Sequence, residues 1–457
     1  MATSTLPPAV ADTESEHGWR RHRHAPSLPE VFSTVRVPQN GSALRKMLAF
    51  VGPGLMIAVG YMDPGNWATD LAGGAQFGYL LLSVVMISNL MAILLQHLAL
   101  KLGIATGRDL AQACRDHFSV PVSLMLWVLC EIAIAACDLA EVIGSAIALN
   151  LLFGLPLIVG VIITALDVLV VLLLQRRGFR VIEALVGGLI FLISACFAYE
   201  LLASQPAIGG MLAGLVPSAQ IITNPAALYI AIGILGATVM PHNLYLHSSI
   251  VQTRDFERND TGKREAIRFA TIDSTTALLL AFFVNAAILV TAAAAFHGTE
   301  YASVADIGDA YKLLTPVLGA SFASVLFGVA LLASGQNSTL TGTLAGQIVM
   351  EGFLNIRLPG WLRRLITRLI AIIPAVIITA LYGERGAGEL LVLSQVILSM
   401  QLSFAVIPLI MFTSDKRKMG TFVNARWLNV LAWSVAAIIV VLNGYLLFQT
   451  MVVWFTA

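Results

Sequence analysis

Charge is what this sequence has least of. Only 12% of its 457 residues are Asp, Glu, Lys or Arg, the formal net charge is +1, and 58% are hydrophobic. With a mean hydropathy of +0.84, this composition excludes a water-soluble globule and points to a polytopic helical membrane protein. A net charge near zero carries no message about nucleic acid, and none is expected as a partner. Cysteine is scarce too. Cys114, Cys130, Cys137 and Cys196 show no metal-ligand spacing and lie at or within apolar runs, so they are expected to be free, small apolar fillers rather than disulfides. Nucleophile-elbow, phosphate-loop and HExxH patterns are missing, which leaves an enzyme reading little support and implies no cofactor.

What the chain does have is long apolar runs. A helical span needs ~20 apolar residues, and candidates lie near residues 47–68, 76–101, 121–149, 155–175, 181–203, 225–248, 271–297, 314–335, 364–382, 388–412 and 427–453. The fold class expected is therefore an all-α integral membrane protein of eleven transmembrane helices. Short cytoplasmic loops collect Lys and Arg. With the N-terminus inside, all 27 basic residues except Lys312 and Arg385 fall on the cytoplasmic side, and the C-terminus lies outside. A missed or invented span would scramble that segregation. Residues 1–44, rich in Pro, Ser, His and Arg, are too long and too polar for a cleaved signal peptide and read as a disordered cytoplasmic tail. Multi-pass residence in a cell membrane, the inner membrane of a bacterium, follows from these features and from the family resemblance given below.

Two polar interruptions stand inside otherwise apolar spans, Asp63-Pro64-Gly65-Asn66 in the first and Met240-Pro241-His242 in the sixth. A proline alone ordinarily only kinks a membrane helix. An adjacent carboxylate favours a site, because an ionisable group at that depth is expensive, and freed backbone survives in lipid only where it lines a cavity. The two breaks are five spans apart, the signature of a five-plus-five inverted repeat over residues 45–203 and 225–412, with an eleventh helix in 425–457. In such folds the substrate sits where the two unwound helices meet.

Asp63 and Asn66 can aim oxygens at one point, and the carbonyls of Gly60 and Ala237 flank the two breaks. Oxygen ligands alone would equally accept Ca²⁺ or Mg²⁺. The thioether of Met240, if it is more than packing, shifts the preference toward Mn²⁺, Fe²⁺, Co²⁺ and Cd²⁺. His242 and His247 are either neutral core histidines or proton-handling groups beside the ion. Glu131, Asp138 and Glu141 share one face of the third span. With Arg363, Arg364 and Arg368 as counter-charges they form a buried ion-pair network, a proton route, or both. Asp167, Glu183, Glu200 and Asp273 are scattered singly and receive no role.

These motifs, with Asp138-Leu139-Ala140-Glu141, the Gly335–Phe353 segment GQNSTLTGTLAGQIVMEGF and Leu393-Ser394-Gln395, resemble the Nramp family of proton-coupled divalent metal transporters, in its bacterial manganese branch, over roughly residues 45–450. The resemblance implies a LeuT-like fold and metal binding by Asp63, Asn66, Met240 and the Ala237 carbonyl, with Gln395 joining in some states. It also implies a proton-accepting Asp63 assisted by His242, and a proton route along Glu131, Asp138 and Glu141 with the ninth-span arginines. Gly60 departs from the alanine of many relatives. The function expected is import of Mn²⁺ or Fe²⁺ with protons by alternating access, by a protein acting as a monomer in the lipid bilayer. An ion-coupled carrier of amino acids or other small solutes is the rival on the same fold, although Asp63 would repel a substrate carboxylate.

Overall fold

The computed structural model describes residues 18–22, 25–28, 30–38, 41–164, 179–300, 307–318, 322–356 and 360–456. Among them helices dominate: α1 (Ala43–Phe50), α2 (Pro53–Gly60), α3 (Pro64–Phe77), α4 (Leu82–Thr106), α5 (Leu110–His117), α6 (Val120–Phe153), α7 (Leu157–Thr164), α8 (Phe179–Ala203), α9 (Pro225–Thr238), α10 (Pro241–Ile250), α11 (Asp260–Phe296), α12 (Ile307–Leu318), α13 (Ala323–Leu354), α14 (Gly360–Ser414) and α15 (Arg426–Thr456). Two two-residue strands, β1 (Val35–Arg36) and β2 (Arg254–Asp255), pair in parallel.

Both expected breaks are present, and local chemistry explains them. α2 stops at Gly60, and α3 restarts with Asp63 as its N-cap, the side chain accepting from Asn66 N at 2.8 Å, and Pro64 in the first turn. α9 stops at Thr238, and α10 restarts at Pro241 after an extended Met240. Helical bonds run from N–H(i) to the carbonyl of i−4. Pro64 and Pro241 therefore stand where the donors to the Gly60 and Ala237 carbonyls would be, and proline has no N–H to give. The other freed carbonyls at the first break are taken up: Tyr61 by Asn285 Nδ2 at 2.8 Å, and Met62 by Ser334 Oγ at 2.5 Å and Trp67 Nε1 at 3.1 Å.

Among the described residues seven helices are long and apolar enough to cross a bilayer, or eight if α1 and α2, bent by 42°, make one span; that count does not cover the whole chain and leaves the expected eleven untested. Most of the fourth expected span falls on residues 165–178, outside the described residues. The ninth and tenth run together in the 55-residue α14, without the turn expected at 383–387, because isolated glycines weaken a helix but do not end it as a capped stop would. The described residues among 18–38, a stretch assigned to a disordered tail, pack against the body, with Trp19 and Leu28 buried. Trp19 packs at a tilt against Phe412 with its ring beneath Arg108 and Lys418, and Ser27 Oγ donates to Asp109 Oδ2 at 2.5 Å. A few apolar anchors inside a polar stretch are enough to dock it, which mean composition does not register.

Candidate metal site between two broken helices

The breaks meet in the interior, where Asp63, Asn66, Ala237, Met240 and Gln395 are all buried. Asp63 Oδ1 is occupied as the helix cap, while Oδ2 lies 3.8 Å from Cys137 Sγ. Cys137 in turn is 3.8 Å from Glu141 Oε1, so a thiol bridges the first break to the acidic stripe of α6. Met240 packs with Ala133, Cys137 and Leu398. A Cβ on Gly60 would come 3.2 Å from Met240 Sδ and would collide with the Asn243 amide, so the end of α2 packs close to the second break with no room for a side chain. A Cβ on Gly65 would overlap the Gln395 amide, so only glycine lets Gln395 lie on the break.

Unspent polar atoms converge here. Asn66 Oδ1, Gln395 Oε1, Thr238 Oγ1, Asn243 Nδ2 and His242 Nδ1 are buried without hydrogen-bond partners, a concentration that ordinary cores avoid. The oxygens among them, Asn66 Oδ1, Gln395 Oε1 and Thr238 Oγ1, together with Asp63 Oδ2 and the Gly60 and Ala237 carbonyls, supply acceptors for a partly dehydrated cation. Among the described residues no three His, Cys, Asp or Glu side chains converge as a metal cluster. The candidate site is therefore one carboxylate, amide and carbonyl oxygens, and one thioether.

The other expected residues are distributed around this centre. His242 is buried in the first turn of α10, after Pro241. His247 lies deeper, its Nδ1 2.9 Å from Gln96 Oε1, and Gln96 Nε2 donates to the Tyr61 hydroxyl at 2.7 Å, so it connects to the first break through Gln96. Glu141 Oε2 accepts from Thr339 Oγ1 at 3.1 Å. A Cβ on Gly342 of α13 would meet Glu141 Oε1 at 3.1 Å and Asp138 Oδ1 at 3.5 Å, which brings the two acids to one spot. Glu131, half-buried, accepts from Trp127 Nε1 at 3.0 Å one turn away. The side chains of Arg363, Arg364 and Arg368 lie outside the described residues.

Sequence reasoning missed Cys137, which it classed with the fillers. All four cysteines are buried and unbridged, but this one lies against Asp63. Its position one turn before Glu141, on the acidic face, was the available signal. Two acids left without a role also reappear, at the end of the bundle that carries the strand pair. Glu183 Oε1 pairs with the fully buried Arg254 at 2.7 Å, and Arg254 also donates to the Val51 carbonyl at 3.0 Å. Asp273 Oδ2 accepts from Gly54 N at 2.7 Å. Gly52, at φ +138°, leaves no room for a side chain, since a Cβ would lie 2.5–2.7 Å from the Glu183 carboxyl and Arg254 Nη2. Phe32 N and Thr34 N bond the Gln252 and Thr253 carbonyls at 3.0 and 3.2 Å, so residues 32–37 run alongside the clamp. Together these contacts clamp the start of α2 shut.

Residues 54–449 match the family model described as Natural resistance-associated macrophage protein-like, Nramp. A divalent metal cation transporter MntH of Listeria innocua is 65% identical over 437 residues, covering 96% of this chain and 98% of that protein. A protein of the same name from Nostoc sp. is 66% identical over 429 residues, covering 94% and 97%. The crystal structure of an Eremococcus coleocola manganese transporter, in complex with an aromatic bis-isothiourea substituted compound, superposes with a TM-score of 0.85 at 46% identity, covering 92% of this chain and 90% of that one. Mhp1, a nucleobase-cation-symport-1 family transporter, is alike in fold alone, at 15% identity and a TM-score of 0.56 over 93% of this chain and 96% of that one.

Proposed function

The chain belongs to the Nramp family, a family of transporters rather than enzymes, and from that premise we propose that it carries a divalent transition metal, Mn²⁺ with Fe²⁺, Co²⁺ and Cd²⁺ as further cargoes, inward together with protons by alternating access. The observation that carries this reading is the gathering of Asp63, Asn66, Ala237, Met240 and Gln395, all buried, at the two facing helix breaks, with Met240 Sδ 3.2 Å from where a Cβ on Gly60 would lie. On arrival the metal would take the place of the Asp63 proton and be held by Asp63, Asn66, Met240 and the Gly60 and Ala237 carbonyls. Gln395 would join as a ligand in some states. Proton and dication compete for the one carboxylate, so arrival of metal sends the proton on. Cys137 is the contact that leads from Asp63 to Glu141, and from there the route would run along Asp138 and Glu131 toward Arg364 and Arg368. His242 and His247 are the flanking groups able to exchange protons.

The topology proposed with this mechanism has the N-terminus cytoplasmic, the C-terminus outside, repeats over 45–203 and 225–412, and a monomer as the working unit in the bilayer. Release inward then requires the Glu183–Arg254 clamp to part so that α2 can swing away from α11. Uptake into liposomes tests the reading, with Mn²⁺ outside, a pH-sensitive dye inside, and excess Mg²⁺ or Ca²⁺ as competitor. Saturable Mn²⁺ entry that resists the competitor and acidifies the lumen is expected. Entry blocked by Mg²⁺ would reject the role given to Met240.

A further inference from the structure

Glu200, near the end of α8, is 1% exposed, and neither carboxyl oxygen has a hydrogen-bond partner. It lies 17 residues beyond Glu183 on the same helix, about 26 Å at ~1.5 Å per residue, and so at the opposite end of the bundle from the clamp. Across a narrow cleft stands Thr291 of α11, also buried, with its Oγ1 equally unpartnered. The cleft holds about 10 Å³, which is room for one water molecule. Its remaining wall is apolar, with Leu71 of α3, Phe197 of α8, Phe296 of α11, Leu314 of α12 and Phe327 of α13 among its residues.

Among the described residues no cation lines this cleft. The other charged residues of α8 and α11 all lie in the first halves of those helices, Asp309 and Lys312 of α12 are outside the lining, and Glu351 is near the far end of α13. Asp70 on α3, Cys196 on α8 and His297 after α11 are the nearest other titratable side chains along those elements, and none of them lines it either. An ionised carboxylate in such a place would lack any compensation for its desolvation. A divalent ion would need six or more oxygen ligands, and two side chains around one water's volume do not provide them.

We propose that Glu200 is a proton-binding site separate from the metal site, held as the neutral acid with Thr291 Oγ1 and a single water as its hydrogen-bonding partners, and ionised only when α3, α8, α11 and α12 part. In that step the carboxyl O–H bond breaks, the electron pair stays on the carboxylate, and the proton passes to water entering the opened cleft. The site thus ties the proton count of the protein to the packing at this end of the bundle.

Difference infrared spectroscopy on the full chain in lipid nanodiscs, stepped from mildly acidic to alkaline pH, reads this directly. The expected result is a protonated-carboxyl C=O band that is lost in Glu200→Gln, retained in Asp63→Asn, shifted to higher frequency in Thr291→Val, and bleached only at alkaline pH. Thr291→Val leaves the carboxyl untouched, so it tests the cleft even if Glu200→Gln misfolds. A spectrum with no band assignable to Glu200, a band unmoved by Thr291→Val, or a band bleached by Na⁺ at constant pH would each overturn the proposal. Because Asp63→Asn is scored separately, failure here is distinguishable from failure of the metal-site reading.

Discussion

Glu183→Gln should unlatch the strand-bearing end of the bundle. Arg254 is fully buried there, with Nη2 2.7 Å from Glu183 Oε1 and 3.0 Å from the Val51 carbonyl, and Nη1 3.2 Å from Thr34 Oγ1. The amide matches the carboxylate in shape, so the substitution removes the counter-charge and little else. Removing one partner of a buried ion pair costs about 3–5 kcal/mol. The neutral acceptors that remain on Arg254 keep the loss near the lower end, about 3 kcal/mol. At ~1.4 kcal/mol per decade this is about a hundredfold shift toward the unlatched form. Hydrogen exchange reads it at the amides that bond at this end, Thr34 to the Thr253 carbonyl, Val37 to the Asp255 carbonyl and Gly54 to Asp273. Their exchange should accelerate about a hundredfold, while amides in the middle of α6 stay protected. Arg180→Ala is the control. Arg180 also touches Glu183, at 2.8 Å, but its side chain is 51% exposed, and exposed pairs contribute at most about 1 kcal/mol. If Glu183→Gln accelerates exchange no more than Arg180→Ala does, the clamp is not what holds this end closed.

Asp63→Asn keeps an N-cap of similar quality but removes the charge, so helicity by circular dichroism should be retained while Mn²⁺ uptake into liposomes is lost; residual uptake near the wild-type rate would remove Asp63 from the site. Met240→Leu removes the sulfur at nearly constant volume, which cores tolerate within about 1.5 kcal/mol. Competition uptake should show the preference for Mn²⁺ over Mg²⁺ falling by about tenfold or more, ~1.4 kcal/mol, and unchanged selectivity would mean that Met240 is packing only. Outside the membrane-spanning segments, burial pushes Asp109 up to about 6, against the opposing hydrogen bonds from Ser27 and Gln112. The folded chain then holds this proton more tightly than the unfolded one, so the contribution to stability is present below about pH 4 and is lost as pH rises through about 6. Relative to Asp109→Asn, which preserves the α5 cap, the wild type should therefore lose thermal stability between these pH values, and parallel profiles would refute the assignment.

Much of the candidate site is legible in the residues alone. Asp63, Asn66 and Met240 announce themselves because a carboxylate, an amide or a thioether beside proline in an apolar run is a local anomaly, and the Gly60 and Ala237 carbonyls follow from the prolines four residues on. Partners across helices are not legible in this way. The one local hint for Cys137 is its place one turn before Glu141, and its value lies in being 3.8 Å from Asp63, which no local pattern gives. Glu183, Asp273 and Glu200 read as isolated acids, since their counterparts, Arg254, Gly54 and Thr291, are 71, 219 and 91 residues away in sequence.

By itself the sequence determined the membrane class, the two helix breaks and the chemistry gathered at them, because hydropathy and the missing proline N–H act within a few residues along the chain. Only the tertiary structure decided that the described part of 18–38 docks, that α14 runs unbroken through the expected turn, and which acids pair with Arg254, which lie beside Cys137 and which stays a solitary buried carboxyl. Those outcomes depend on which faces meet and how much water is left between them, and packing of distant segments sets both.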